Sequence, residues 1–129
     1  MAPDLLEQGS RWLDDQRVRH LSRPVTYCRG EASVEVQAAV GRTVFEVDNG
    51  TAVLEQFESR DFLIRAADLV LNEQQVLPER GDRIREEQDG VTYVYEVMAP
   101  GREPCFRFSD PFRRTLRIHT KLVDTAEAP

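Results

Sequence analysis

A β-hairpin at residues 77–100 is the feature that most limits what this chain can fold into. Within it, Asp89-Gly90 stands between a short strand at 83–85 and a longer one at 91–97. An Asp-Gly pair supplies both left-handed positions of a tight type I′ turn, whose twist matches that of the strands it joins. The sequence therefore predicts an antiparallel hairpin, with a turn at 77–82 leading into its first strand.

The second strand of this hairpin has apolar side chains on both of its faces. Side chains alternate between the two faces of a strand, so Val91, Tyr93, Tyr95 and Val97 share one face and Val94 lies on the other. A strand that is apolar on both faces is usually covered on both. We therefore expect it to lie inside the sheet, not at an edge.

Period-two alternation predicts further strands on either side of the hairpin. They are expected at 24–28, 33–40, 42–48, 52–58 and 115–122, with a short buried run at 61–64. Gly41 would allow a bulge or bend, residues 66–69 would form one helical or 3₁₀ turn, and Leu116, Ile118 and Leu122 would point inward. The predicted fold is mainly β, a small antiparallel barrel or sandwich of about seven strands with an N-terminal α-helix.

The first 22 residues have a helical pattern instead. Asp4 and Glu7 have the spacing of a capping box, and the apolar stripe of the helix consists of Leu5, Leu6, Trp12, Leu13, Val18 and Leu21. So narrow a stripe needs another surface to be stable, either its own β domain or a neighbouring subunit. The chain is thus divided into a helix or arm at 1–22, a β domain at 23–123 and a tail at 124–129.

Composition excludes several functional classes. The chain has 129 residues, a net charge of −6 and no apolar run near the ~20 residues of a bilayer span. We therefore expect a soluble protein made in the cytoplasm, with no membrane partner and no secretory signal. A net negative charge is unfavourable for a protein that holds DNA by neutralising phosphates, but it would suit a channel through which DNA must slide.

No motif for catalysis, nucleotide binding or metal binding is present. Cys28 and Cys105 are expected to be partly buried thiols, and His20 and His119 to be surface residues. The acidic residues near the hairpin turn are more typical of a solvated turn than of a metal site, because adjacent strand positions point to opposite faces. We therefore predict no catalytic residue, no cofactor and no metal.

An aromatic and arginine-rich loop at 103–114 is the strongest candidate for a binding surface. The residues that it offers for binding are Phe106, Phe108, Phe112, Arg113 and Arg114. Such a loop could stack single-stranded bases, anchor a protein partner, or close the core. The acidic net charge favours the protein partner over the nucleic acid.

Several of these segments together resemble the head–tail joining proteins of tailed bacteriophages, also called head-closure or stopper proteins. The similarity is carried by SRDFLI at 59–64, LP at 77–78, GDRI at 81–84, YEV at 95–97, DP at 110–111 and RTLRIHTK at 114–121. The resemblance implies a structural protein of the virion neck, assembled in the host cytoplasm. Its partners would be the portal or adaptor protein and the tail terminator.

The resemblance further implies a homo-oligomeric ring, six-fold or twelve-fold, that encloses double-stranded DNA and closes the channel after packaging. The ring interface would use the helix stripe at Leu5, Leu6, Trp12 and Leu13, and the loop residues Phe106, Phe108, Phe112, Arg113 and Arg114. Turns that could face the lumen contain Asp48, Asn49, Glu86, Glu87 and Asp89. The alternatives are a tail terminator or completion protein, and an OB-like barrel that stacks single-stranded bases on Tyr93, Tyr95, Phe106 and Phe108.

Overall fold

The computed structural model describes residues 8–9, 22–48, 50, 54–101 and 103–127. The predicted N-terminal helix lies outside this part of the chain, since only Gln8, Gly9 and Ser22 of residues 1–22 are described. Within the described residues no helix has the length and apolar character needed to cross a bilayer.

Strands dominate the described residues, as predicted. They are β1 (Arg23–Arg29), β2 (Ala32–Asp48), β3 (Leu54–Arg65), β4 (Val70–Leu71), β5 (Gln74–Gln75), β6 (Arg83–Gln88), β7 (Val91–Val97), β8 (Phe106–Phe108) and β9 (Thr115–Glu127). A 3₁₀ turn, η1, covers Ala66–Asp68 at the position where the sequence predicted a single turn. The mainly β prediction is therefore confirmed.

Seven of the strands form one antiparallel sheet in the order β3-β2-β1-β6-β7-β9-β8, and β4 and β5 form a small separate ribbon. β3 also pairs with β9, from Arg60 opposite Thr120 to Arg65 opposite Thr115. This extra pairing links β1, β2, β3, β9, β7 and β6 into a closed circuit. Each strand of the circuit has a neighbour on both sides, which reduces the open edge that an ordinary sheet leaves for aggregation.

The core lies on the inner side of this circuit and is filled by alternate residues of its strands. Its most deeply buried members are Val25, Tyr27, Phe62, Ile64, Leu69, Ile84, Val97, Leu116 and Ile118. Burying each large apolar side chain contributes about 1.5–3 kcal/mol relative to leaving it exposed. Tyr95 and Val97 of the predicted hairpin are in this core, whereas Val91 and Tyr93 are only half-buried because they lie nearer the turn.

The hairpin itself has the predicted geometry. Asp89 and Gly90 have φ values of 53° and 79°, the two left-handed positions of the turn, and Gln88 pairs with Val91 across it. β7 lies between β6 and β9, so the prediction of a central strand is confirmed. The turn before β6 is fixed by the buried carboxylate of Asp82, which accepts hydrogen bonds from Tyr27 Oη, from Arg29 Nη2 at 2.9 Å and from the backbone N–H of Glu79 at 3.0 Å.

The two strands predicted at 33–40 and 42–48 are one continuous strand, β2, so the expected break at Gly41 is wrong. Gly41 pairs with Asp61 in unbroken register. Its role is a close side-chain approach, because a Cβ built at this position would lie 3.2 Å from Arg117 Nη1. Glycine therefore makes room for the Arg117 guanidinium over the sheet.

The last strand, β9, is longer than predicted. It continues past Leu122 to Glu127 and pairs with β7 there, so residues 124–127 belong to the sheet although the sequence predicted a tail. The register shifts between Val94, opposite Asp124, and Tyr95, opposite Leu122, which leaves Val123 as an extra residue. Leu122 is about half exposed, so the expectation that it points inward is wrong.

Replacing Gly90 with valine tests the turn. A β-branched residue at φ 79° is strained although nothing lies within 4 Å of the added Cβ, and we expect the free energy of unfolding to fall by about 1–3 kcal/mol. Urea denaturation measures this change. The matched control is Gln88→Val, an exposed strand position next to the turn, and an equal loss in both variants would contradict the assignment.

Candidate partner-binding surfaces

The loop between β8 and β9 is a rigid turn organised by Asp110. The two carboxylate oxygens of Asp110 accept backbone hydrogen bonds from Phe112 at 3.1 Å, Arg114 at 2.9 Å and Thr115 at 2.9 Å. Arg113, between them, has a left-handed φ of 58°. Bonds to Asp110 on both sides of Arg113 stabilise this backbone conformation.

The aromatic residues of the loop divide into two groups. Phe106 and Phe108 lie on β8, with their rings edge to face at 5.9 Å, and both pack against the core. They therefore help to close the core, which was one of the three interpretations of this segment. Phe112 is half-buried and Arg113 is exposed, and the Arg113 guanidinium lies 5.8 Å from the centre of the Phe108 ring.

Two of the concave regions on the described surface border the predicted hairpin and the predicted loop. One is a cavity of about 310 Å³ between η1 and the loop, lined by Arg65, Ala66, Ala67, Asp68, Gln75, Arg113 and Arg114. The other is an open groove of about 610 Å³ across β1, β6 and β7, lined by Pro24, Val25, Thr26, Glu35, Arg85, Glu87, Asp89, Gly90 and Thr92. The predicted loop and the predicted hairpin turn thus border different surfaces.

The residues proposed for lumen-facing turns do not share one environment. Glu87 and Asp89 are exposed at the end of the β6–β7 hairpin, and Asp48 is the last residue of β2. Asn49 lies outside the described residues, as do the helix-stripe residues Leu5, Leu6, Trp12 and Leu13. Glu86 is different, because it lies within β6 and is almost fully buried.

The placement of Glu86 in an exposed turn is therefore wrong, and the reason is an ion cluster formed around its buried carboxylate. Glu86 Oε1 accepts a hydrogen bond from Arg23 Nη1 at 2.7 Å, and Oε2 accepts one from Arg60 Nη2 at 2.8 Å. The Arg60 guanidinium also lies 4.8 Å from the centre of the Tyr95 ring. With both oxygens paired, the charge of Glu86 is compensated inside the sheet.

His119 was expected at the surface, but it is buried and belongs to a second polar cluster. Its Nδ1 lies 2.9 Å from Asp61 Oδ1 and 3.5 Å from Ser59 Oγ. Asp61 also accepts hydrogen bonds from Thr43 and from Arg117 Nη1, the latter at 2.7 Å. Burial alone would raise the pKa of Asp61, but the hydrogen bonds from His119, Ser59, Thr43 and Arg117 outweigh it and hold this pKa well below its usual range.

This second cluster has the residue types of a hydrolase triad without its geometry. Ser59 and Asp61 both approach the same ring nitrogen of His119, so the ring cannot pass a proton from one to the other. Ser59 is 1% exposed, which leaves a substrate no access to its hydroxyl. The cluster therefore ties β2, β3 and β9 together.

The described residues show no metal-binding cluster and no activated thiol. Among them no three His, Cys, Asp or Glu side chains stand close enough to hold a metal ion. Cys28 and Cys105 are both free thiols, the first half-buried and the second buried. Burial raises the pKa of Cys105, which disfavours the reactive thiolate.

Comparison with known proteins gives one clear result. The sequence model of a family described as phage head-tail joining protein matches residues 3–127. The match covers nearly the whole chain, including the strands and the loop described above. No curated protein matches the chain.

Removing the negative charge of Glu86 should lower the free energy of unfolding. Glu86→Gln leaves Arg23 and Arg60 without a counter-charge, and we expect the free energy of unfolding to fall by about 2 kcal/mol. This is less than the ~3–5 kcal/mol for a fully buried pair, because both arginine side chains keep some contact with solvent. The control is Glu58→Gln at the exposed ion pair with Arg42, which should change the value by less than about 0.5 kcal/mol.

The Asp61 cluster makes a prediction about pH. Because the folded pKa of Asp61 is lowered, its stabilising contribution is present above the unfolded value of about 3.9 and is lost as the pH falls. The difference in unfolding free energy between the natural protein and Asp61→Asn should therefore be largest above about pH 5 and shrink in acid. Denaturant curves at several pH values measure it, with exposed Asp68→Asn as the control, and a difference that grows in acid would refute the assignment.

Proposed function

The chain belongs to the phage head-tail joining protein family, and on this premise we propose that it closes the DNA channel of the virion neck as one subunit of a ring. The family membership confirms the resemblance and supports a structural protein of a phage particle, located between head and tail. The finer statements are our proposal: a homo-oligomeric ring, contact with the portal or adaptor protein on one side and the tail terminator on the other, and assembly in the host cytoplasm.

The closed circuit of strands supports this role. We interpret the circuit as a small barrel. Its paired strands serve as a scaffold, and the turns and strand ends carry the residues that bind partners. A protein that must hold packaged DNA under load benefits from a body that deforms little, and buried ion clusters at Glu86 and Asp61 cross-link the strands. We propose a non-enzymatic mechanism in which ring symmetry and narrow turns block the lumen.

For the lumen we propose Asp48 and Asn49, together with Glu87 and Asp89 of the hairpin turn. The carboxylates of Asp48, Glu87 and Asp89 would repel DNA phosphates, so that the DNA could move along the channel without binding to it. For the subunit and partner interfaces we propose two sets of residues. They are the helix stripe at Leu5, Leu6, Trp12 and Leu13, and the loop residues Phe112, Arg113 and Arg114. Phe106 and Phe108 would support this surface from below, since both pack against the core.

The two alternatives are not equally supported. A tail terminator or completion protein would use the same ring logic on the tail side, and finding this protein on the end of head-free tails would favour it. An OB-like barrel for single strands needs free aromatic faces, but Tyr95 is buried and Phe106 and Phe108 pack against the core. The contacts therefore disfavour stacking of bases on these residues.

Deleting the coding region of this protein from the phage tests the proposal. Mutant infections should yield heads that have packaged DNA, fail to bind tails and lose DNA on storage. Electron microscopy and nuclease protection measure these outcomes, and supplying the natural protein from a plasmid should restore tailed particles. Normally tailed, infectious particles from the deletion would contradict the proposal.

A further inference from the structure

We propose that the cavity between η1 and the β8–β9 loop binds carboxylate side chains from an acidic segment of a neighbouring protein in the neck. The identity of the partner as a neck protein rests on the proposed function, whereas the carboxylate chemistry rests on the cavity. Its volume is about 310 Å³. We call it the arginine cavity.

The charges that line the arginine cavity favour an anion. Three of its lining residues are arginines, Arg65, Arg113 and Arg114, and one is acidic, Asp68. This local excess of positive charge stands out in a chain of net charge −6. A guanidinium presents a planar fork of donors that matches the two oxygens of a carboxylate, so arginine is suited to such a site.

The cavity is also preorganised. Asp110 holds the backbone of Arg114, and Arg113 keeps its left-handed conformation beside the Phe108 ring. The loop is joined to the opposite wall by a 2.8 Å hydrogen bond from the Ala66 N–H to the Arg114 carbonyl. The backbone that carries the two arginines is therefore ordered before a partner binds, which lowers part of the entropic cost of binding.

One atom points to a missing acceptor. Nη1 of Arg114 is buried and has no hydrogen-bond acceptor in the described part of the chain. Buried donors in folded proteins are nearly always paired, and an unpaired one needs an explanation. Arg114 lines the cavity, so a rotation of its guanidinium would bring Nη1 to a carboxylate seated there and give it an acceptor.

The size of the cavity selects a side chain over a duplex. A space of about 310 Å³ admits one or two acidic side chains. A DNA duplex is too broad to enter such a space, because duplexes bind proteins along extended surfaces of roughly 1,000–2,500 Å². We therefore commit to protein carboxylates, with DNA phosphate as the competing outcome of the test.

The experiment titrates the purified full chain with a labelled hexaglutamate peptide at low ionic strength. The double variant Arg113→Gln/Arg114→Gln should bind about tenfold or more weakly, because two charge-assisted contacts are removed. The control Arg42→Gln/Arg107→Gln removes the same charge from two exposed arginines that do not line the cavity. Its affinity should stay within about twofold of the natural protein.

Two further arms complete the test. Asp68→Asn removes the acidic wall residue and should tighten peptide binding, a gain that a misfolded protein cannot produce. Inorganic phosphate and a short DNA duplex replace the peptide in parallel titrations. Equal losses in the two double variants, no gain in Asp68→Asn, or tighter binding of phosphate or duplex than of peptide would each overturn the proposal.

The titration is independent of the phage deletion. A tailless deletion phenotype with no peptide binding would leave the proposed function in place and remove the arginine cavity as a docking site. A harmless deletion with selective peptide binding would do the reverse. Thermal melting of every variant shows that losses of binding do not arise from unfolding.

Discussion

The arrangement of the strands depends on the ion pairs that the buried Glu86 carboxylate makes with two arginines. Glu86 receives Arg23 from β1 and Arg60 from β3 while lying on β6, so three strands that are not consecutive in the sequence meet at one side chain. A shift of β6 by one residue would turn Glu86 to the outer face and leave an isoleucine beside solvent. We interpret the cluster as a device that specifies register, since a buried ion pair by itself adds little net stability.

The local features of the fold could be predicted from the sequence. The Asp89-Gly90 turn and the central position of β7 depend on neighbouring residues, and both were correctly predicted, although only Tyr95 and Val97 of its predicted inward face are buried. Glu86 and His119 could not be placed, because a polar or charged residue in a strand is expected on the outer face unless its partner is known. Arg23 and Arg60 are 63 and 26 positions away from Glu86, and Asp61 is 58 positions away from His119, so only the folded chain brings them together.

The candidate surface shows the same division. The aromatic and arginine content of the loop predicted a binding surface there. Composition does not show that Phe106 and Phe108 pack against the core whereas Arg113 is exposed. The arginine cavity has a second wall, η1, that comes from a segment without any conspicuous composition. From the sequence, Asp110 is notable only as part of the Asp-Pro pair at 110–111, yet its carboxylate accepts hydrogen bonds from the backbone N–H groups of Arg114 and Thr115 and so fixes the loop.

The pairing of β3 with β9 has a consequence for how the chain reaches its fold. β3 ends at Arg65 and β9 begins at Thr115, so the circuit closes only after a long stretch of intervening chain has been made. Non-local strand pairing of this kind is slow, because the entropy of closing the loop is lost before the contacts form. Until β9 docks, the edges of β3 and β7 that it covers are open, and a chain at this stage would be more prone to pair with another copy of itself.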